Sequence, residues 1–194
     1  MSAGFLRFWD AGAMPRQDVV ITTQDGECAA TLHTPSHGDS HPAVLMYPDA
    51  AGPRETFSAM GDRLAGLGYT VLVPDIYYRD APYEPFDAAT VFGDPEERAR
   101  LGKLASGVTA ERAIADAGAF LDFLLARPEA SGEAAGTTGY CMGGKLSLLA
   151  AAHHADKVAA AASFHGGNLA VEDDPDSPYR VADRIRASVV IAAA

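Results

Sequence analysis

The feature that most constrains the fold is a series of short apolar runs, Ala43 to Tyr47, Tyr69 to Val73 and Ala159 to Phe164, with Ser188 to Ala192 as a last strand. A continuous apolar run of this length reads as a strand buried on both faces, the condition of a parallel sheet. The intervening segments read as helices. Thr56 to Leu67 stops at Gly68, a residue suited to the position just past a helix. Asp94-Pro95-Glu96-Glu97 opens a short helix carrying Arg98 and Arg100, and Ala113, Ile114, Ala117, Phe120, Leu121 and Leu124 recur at helical spacing up to Pro128. A short helix around Val181 to Ile185 precedes the last strand. Near the start, Val19 to Thr22 and Cys28 to Leu32 flank Asp25-Gly26, a hairpin signal. Strands alternating with helices predict an α/β fold, a mostly parallel sheet with helices on both faces. It forms one domain over residues 18–194 after a leader of residues 1–17. Ligands in such sheets bind beyond the carboxyl ends of the strands, which draws together Asp49-Ala50, the Asp75 to Tyr78 stretch, Cys141 and His165.

Of these, the stretch Thr137 to Leu149 carries the most chemistry. It reads as a strand, a sharp turn at Cys141 and a helix with almost no polar face. Gly139 and Gly143 flank the cysteine as GxCxG, the nucleophile-elbow pattern with sulfur in place of oxygen. A side chain thrown clear of the backbone there needs strained φ/ψ and small neighbours two positions away. The following helix presents its N–H groups and positive dipole end to the sulfur, and Gly144 allows close contact between helix and sheet. A glycine-flanked cysteine can also be plain packing; the strand before and the apolar helix after favour a nucleophile.

Composition narrows the partners. The formal net charge of −11, from 26 acidic and 15 basic residues, disfavours nucleic acid and anionic membranes. Two cysteines make no disulfide framework and fit a reducing, cytoplasmic setting. The leader holds Phe5, Leu6, Phe8 and Trp9 but no apolar stretch long enough for a signal peptide or a membrane span. His33, His37 and His41 fall among Pro35, Gly38, Asp39 and Pro42, so they read as solvated loop histidines and not as a metal site. Tyr77, Tyr78, Tyr83 and Phe86 follow a strand's carboxyl end and read as a pocket wall, in part as core cover.

Over about residues 18–192 the chain resembles the dienelactone hydrolase family of the α/β-hydrolase fold. The resemblance rests on Gly139-Tyr140-Cys141-Met142-Gly143-Gly144, on Gly68-Tyr69 through Pro74-Asp75-Ile76-Tyr77, and on Phe164-His165-Gly166-Gly167 with Asp174-Pro175-Asp176-Ser177-Pro178. It implies hydrolysis of a small-molecule ester or lactone, carboxymethylenebutenolide being the type substrate, without metal or organic cofactor. Cys141 matches the nucleophile, and the N–H groups of Met142 and Ala50 match the oxyanion donors. Asp49 stands where the family has a glutamate bonded to the resting thiol; a turn or capping role is the alternative. Arg100 matches the arginine that binds the substrate carboxylate, with Arg98 as competitor, while Tyr78 and His165 are further candidates at the substrate. The family's triad also has an aspartate and a histidine, and neither has a counterpart before Ala194. The expectation is therefore a C-terminally incomplete hydrolase, lacking the last strand and helix, impaired in turnover and prone to self-association along an open apolar edge. Two other readings stay open: a non-catalytic binding or oligomerising fragment, and a redox-responsive thiol at Cys141.

Overall fold

The structure, a computed structural model, describes residues 14–193. The leader's aromatics lie outside the described residues. Strands β1 (Arg16–Thr23), β2 (Gly26–His33), β3 (His41–Tyr47), β4 (Thr70–Pro74), β5 (Ala130–Tyr140), β6 (Val158–Phe164) and β7 (Ser188–Ala192) form one sheet in the order β1-β2-β4-β3-β5-β6-β7. β1 and β2 are the expected hairpin, and β2 runs antiparallel to β4; every pairing from β4 to β7 is parallel. β1 takes in Arg16 and Gln17, assigned above to the leader, because Arg16 is anchored to Asp62 at 2.6 Å and to Glu55 at 3.1 Å.

Four helices connect the strands: α1 (Glu55–Gly66), α2 (Pro95–Gly107), α3 (Ala110–Leu125) and α4 (Met142–His153). The Asp94 carboxylate caps α2 by accepting from the N–H groups of Glu96 and Glu97, as the sequence Asp-Pro-Glu-Glu leads one to expect. Residues 178–184 form a 3-10 turn where a short helix was read.

Alternation along β3 separates two apolar layers. Ala43, Leu45 and Tyr47 pack with Ala117, Phe120 and Leu121 of α3 and with Leu146 and Leu148 of α4. Met46 packs with Phe57 of α1 and with Val71 and Val73 of β4, flanked by Val44. The sheet is thus covered by α3 and α4 on one face and by α1 on the other, the period-two consequence of a strand with apolar residues at every position. Helix α4 sits so deep that nine of its residues are buried.

Coverage is uneven, which corrects one expectation. Ala159 and Ala160 of β6 and all five residues of β7 are exposed, with Val190 at 57% and Ile191 at 56%. The β6 run, expected to be buried on both faces, is not, because α1 packs on β2 and β4 and leaves β6 and β7 uncovered on its side. His33 corrects another. It ends β2, is fully buried, and its Nδ1 lies 2.8 Å from the Asp62 carboxylate of α1, so it is no solvated loop residue. Among the described residues no helix is long and apolar enough to cross a membrane.

Candidate active site at the elbow

Strand order reverses between β3 and β5, since β4 lies on one side and β6 on the other; a crevice opens at such a point beyond the carboxyl ends. Register aligns those ends. Tyr47 pairs with Gly139, Tyr140 with Phe164, and Phe164 with Ala192, so the loops after β3, β5 and β6 leave the sheet side by side.

Cys141 is the single residue between β5 and α4. Its φ of 53° and ψ of −117° are strained for an L residue, and its N–H donates to the Phe164 carbonyl at 2.9 Å. The sequence supports that geometry through its glycines. A Cβ at Gly139 would run into the carbonyl of Gly143; one at Gly143 would meet the Pro48 carbonyl and lie 2.6 Å from the Tyr47 oxygen; one at Gly144 would meet the Ser163 hydroxyl and lie 3.0 Å from Gly166. The first contact shapes the elbow itself. The other two let α4 approach the ends of β3 and β6. Behind the turn, the Ser147 hydroxyl donates to Thr137 Oγ1 at 2.9 Å and ties α4 to β5. The partly exposed sulfur sits at the N-terminus of α4, where the first N–H groups have no partner within the helix.

Across the crevice, residues 49–52 form a turn. The Asp49 carbonyl accepts from the Gly52 N–H at 2.9 Å, the Asp49 carboxylate accepts from the Ala51 N–H at 2.9 Å, and Gly52 has φ of +77°. The Ala50 carbonyl accepts from the Tyr77 hydroxyl at 2.6 Å. These bonds do not draw in the N–H of Ala50, the group expected to face an oxyanion. Burial pushes the Tyr77 phenol up, with Asp49, Asp75 and Cys141 acting in the same direction.

The structure sorts the remaining candidates. Both oxygens of Asp49 are held by Arg54, at 2.7 and 2.8 Å, so its carboxylate serves the turn and an ion pair and not the resting thiol. One methylene shorter than glutamate, it closes on its own turn. Tyr78 is buried and donates to Asp116 at 2.9 Å, with Thr23 at 2.7 Å, in a network anchored by Arg79; it is core and no pocket wall. Arg100 is engaged by Glu97 at 2.6 Å and by the Glu84 carbonyl at 2.6 Å, with its guanidinium over Phe86, and none of these partners belongs to the elbow or to the 49–52 turn. Arg98 is exposed on α2. His165 is exposed at the end of β6, directly after the Phe164 carbonyl that receives the Cys141 N–H, and its own N–H donates to Ala192 at 2.7 Å. Among the described residues no group of three or more His, Cys, Asp or Glu could hold a metal ion. Arg54, which holds Asp49, escaped the sequence reading, and Tyr77, read there as pocket wall, instead bonds the Ala50 carbonyl. A tyrosine two positions past a strand's Pro-Asp ending and an arginine five positions after Asp49 were the available signals.

A family model described as the dienelactone hydrolase family matches residues 28–194. A carboxymethylenebutenolidase of Pseudomonas putida is 33% identical over 144 residues, 72% of this chain and 57% of that protein. Carboxymethylenebutenolidase 1 of Cupriavidus pinatubonensis is 30% identical over 135 residues, 69% of this chain and 55% of that protein. The chain therefore spans a little over half the length of these curated relatives. Among solved structures, one named m3DLH superposes with a TM-score of 0.73 at 28% identity, covering 93% of this chain and 68% of that one.

Proposed function

Because the chain belongs to the dienelactone hydrolase family, we propose that it cleaves ester or lactone bonds of small molecules with Cys141 as the nucleophile, through a thioester acyl-enzyme. The sulfur attacks the carbonyl carbon, a C–S bond forms, and the carbonyl π electrons move to oxygen. The N–H groups of Met142 and Ala50 receive that oxyanion. Collapse re-forms the carbonyl and breaks the C–O bond, releasing the alcohol, or opening the ring of a lactone, with a proton taken up by the departing oxygen. Water then attacks the thioester, the acid leaves, and the sulfur is restored. His165 directly follows Phe164, whose carbonyl accepts the Cys141 N–H, and it is the first residue to test as a contributor to that second step.

The observation that carries this reading is the strained backbone of Cys141 held by three glycines at positions where a Cβ would collide. A merely packed thiol needs neither the strain nor the close approaches.

The test is incubation with p-nitrophenyl acetate, followed by mass spectrometry of the intact chain and of Cys141→Ala. One acetyl group on the wild type and none on the variant is the expected result. Iodoacetamide supplies the second readout: it should label Cys141 and spare Cys28, whose thiol burial pushes up to about 12. A folded wild type that neither takes an acetyl group nor releases p-nitrophenol faster than Cys141→Ala overturns the reading. If its Cys141 then alkylates and loses that reactivity reversibly to peroxide, a redox thiol replaces the nucleophile.

A further inference from the structure

The N–H of an oxyanion hole is useful only if its peptide is held still, and the 49–52 turn is held by Arg54 at Asp49 and Gly52 and by Tyr77 at Ala50. Tyr77 follows β4, its ring is 1% exposed, and its hydroxyl donates to the Ala50 carbonyl at 2.6 Å. The same ring backs the turn at Gly52, where an added Cβ would lie 3.4 Å from Cδ2. Tyr77 is itself fixed on two further sides. Its N–H donates to the Asp75 carboxylate at 2.9 Å, and Tyr83 meets its ring edge-on with centroids 5.8 Å apart. A buried phenol that gave its hydroxyl only to packing would be left unpaired; here the bond goes to the residue whose N–H is the proposed oxyanion donor.

We infer that Tyr77 is a positioning residue: its hydroxyl, bonded to the Ala50 carbonyl, fixes the orientation in which the Ala50 N–H meets the oxyanion formed on attack by Cys141. The inference rests on the cysteine acyl transfer proposed above. The carbonyl and N–H of Ala50 sit on the two peptides joined at its Cα. Fixing the carbonyl fixes ψ, and with the Asp49 carbonyl already closed onto Gly52 the N–H has little freedom left. Tyr77 touches no substrate. It acts through Ala50, so its removal should weaken only the step that generates an oxyanion.

Two reactions of the same sulfur separate these roles. Acylation by p-nitrophenyl acetate passes through an oxyanion, whereas alkylation by iodoacetamide displaces iodide at a saturated carbon and forms none. In Tyr77→Phe the acylation rate constant should fall by up to about 100-fold, the cost of a donor displaced by about 1 Å. The half-saturating ester concentration and the alkylation rate should stay at wild-type values. Thr70→Val serves as control, because its hydroxyl also donates to a backbone carbonyl at 2.6 Å from a fully buried position, but at the start of β4, at the far end of the sheet. It should lose stability without losing acylation. Wild-type acylation in Tyr77→Phe overturns the inference, as does a parallel fall in acylation and alkylation, or an equal fall in Thr70→Val. A wild type that is neither acetylated nor faster than Cys141→Ala at releasing p-nitrophenol overturns the proposed function first, and that outcome is told apart because it needs no Tyr77 variant.

Discussion

Replacing Gly143 with alanine should damage the oxyanion hole from a distance, through the end of β3. The added Cβ would lie 2.6 Å from the Tyr47 carbonyl oxygen and closer still to that of Pro48, where ordinary contact begins at 3.4 Å, so about 1 Å of movement is needed. Neither neighbour is a side chain that can rotate away; both are backbone, Tyr47 ending β3 where it pairs with Gly139 of β5 and Pro48 just past it. The strain divides between shifting α4 outward and pushing the end of β3, with Asp49 and Ala50, away from the elbow. Overpacking of this kind costs about 1–3 kcal/mol, and each kcal/mol lowers the melting temperature of a chain this size by about 2–4 °C. A displacement approaching 1 Å at a donor costs about 100-fold in rate.

The assay is acylation by p-nitrophenyl acetate beside thermal unfolding of Gly143→Ala. The expected result is a folded protein, a melting point lower by several degrees, and an acylation rate down by about two orders of magnitude. Alkylation of Cys141 by iodoacetamide should survive, because it needs the sulfur and not the Ala50 N–H. If acylation is unimpaired while melting drops, the strain is absorbed by α4 alone, and the placement of the donor opposite the elbow is refuted.

Two further predictions concern the rest of the molecule. Burial holds the His33 imidazole below its ordinary value of 6.5, against the opposing pull of Asp62. The unfolded chain therefore takes up a proton near pH 6.5 that the folded chain refuses, and stability falls as pH drops below that value, by up to about 1.4 kcal/mol per pH unit until the folded imidazole titrates. His33→Gln should flatten the decline in melting temperature between pH 7 and pH 5, and an unchanged slope would show that other groups set it. The exposed Val189, Val190 and Ile191 of β7 should drive self-association. Light scattering should show oligomers that shrink in Val190→Lys, and a sharp wild-type monomer peak would refute this.

What the sequence made legible is what backbone geometry demands. The elbow could be read because Gly139, Gly143 and Gly144 are required by contacts to the backbone or to a neighbouring loop, and such contacts recur at fixed spacing around a strand-turn-helix. The strands could be read because apolar runs bounded by turn residues have few alternatives in an α/β chain, and among their pairings the β1–β2 hairpin follows from Asp25-Gly26. Side-chain partnership was not legible. Tyr77 and Tyr78 are adjacent aromatics in one loop with the same local signature; only the tertiary structure sends one hydroxyl to the Ala50 carbonyl and the other to Asp116. Exposure misled for the same reason. The apolar content of β6 and β7 says that their faces seek cover, but which helix supplies it depends on packing across the sheet.

Asp49 shows how the two levels interact at the site. A carboxylate just past a buried strand could either reach across to the sulfur or close its own turn, and side-chain length decides. Its Cβ-to-carboxylate reach matches the Ala51 N–H two residues on, a pairing that aspartate makes readily and glutamate does not. Once the turn is closed, the remaining lone pairs face Arg54, which takes both oxygens and lies over Phe57 of α1. Helix α1 is thereby coupled to the loop bearing Ala50. The turn is gripped by Arg54 on one side and by Tyr77 on the other, so the N–H of Ala50 is held by two groups that belong to different elements, and neither of them has to touch the sulfur.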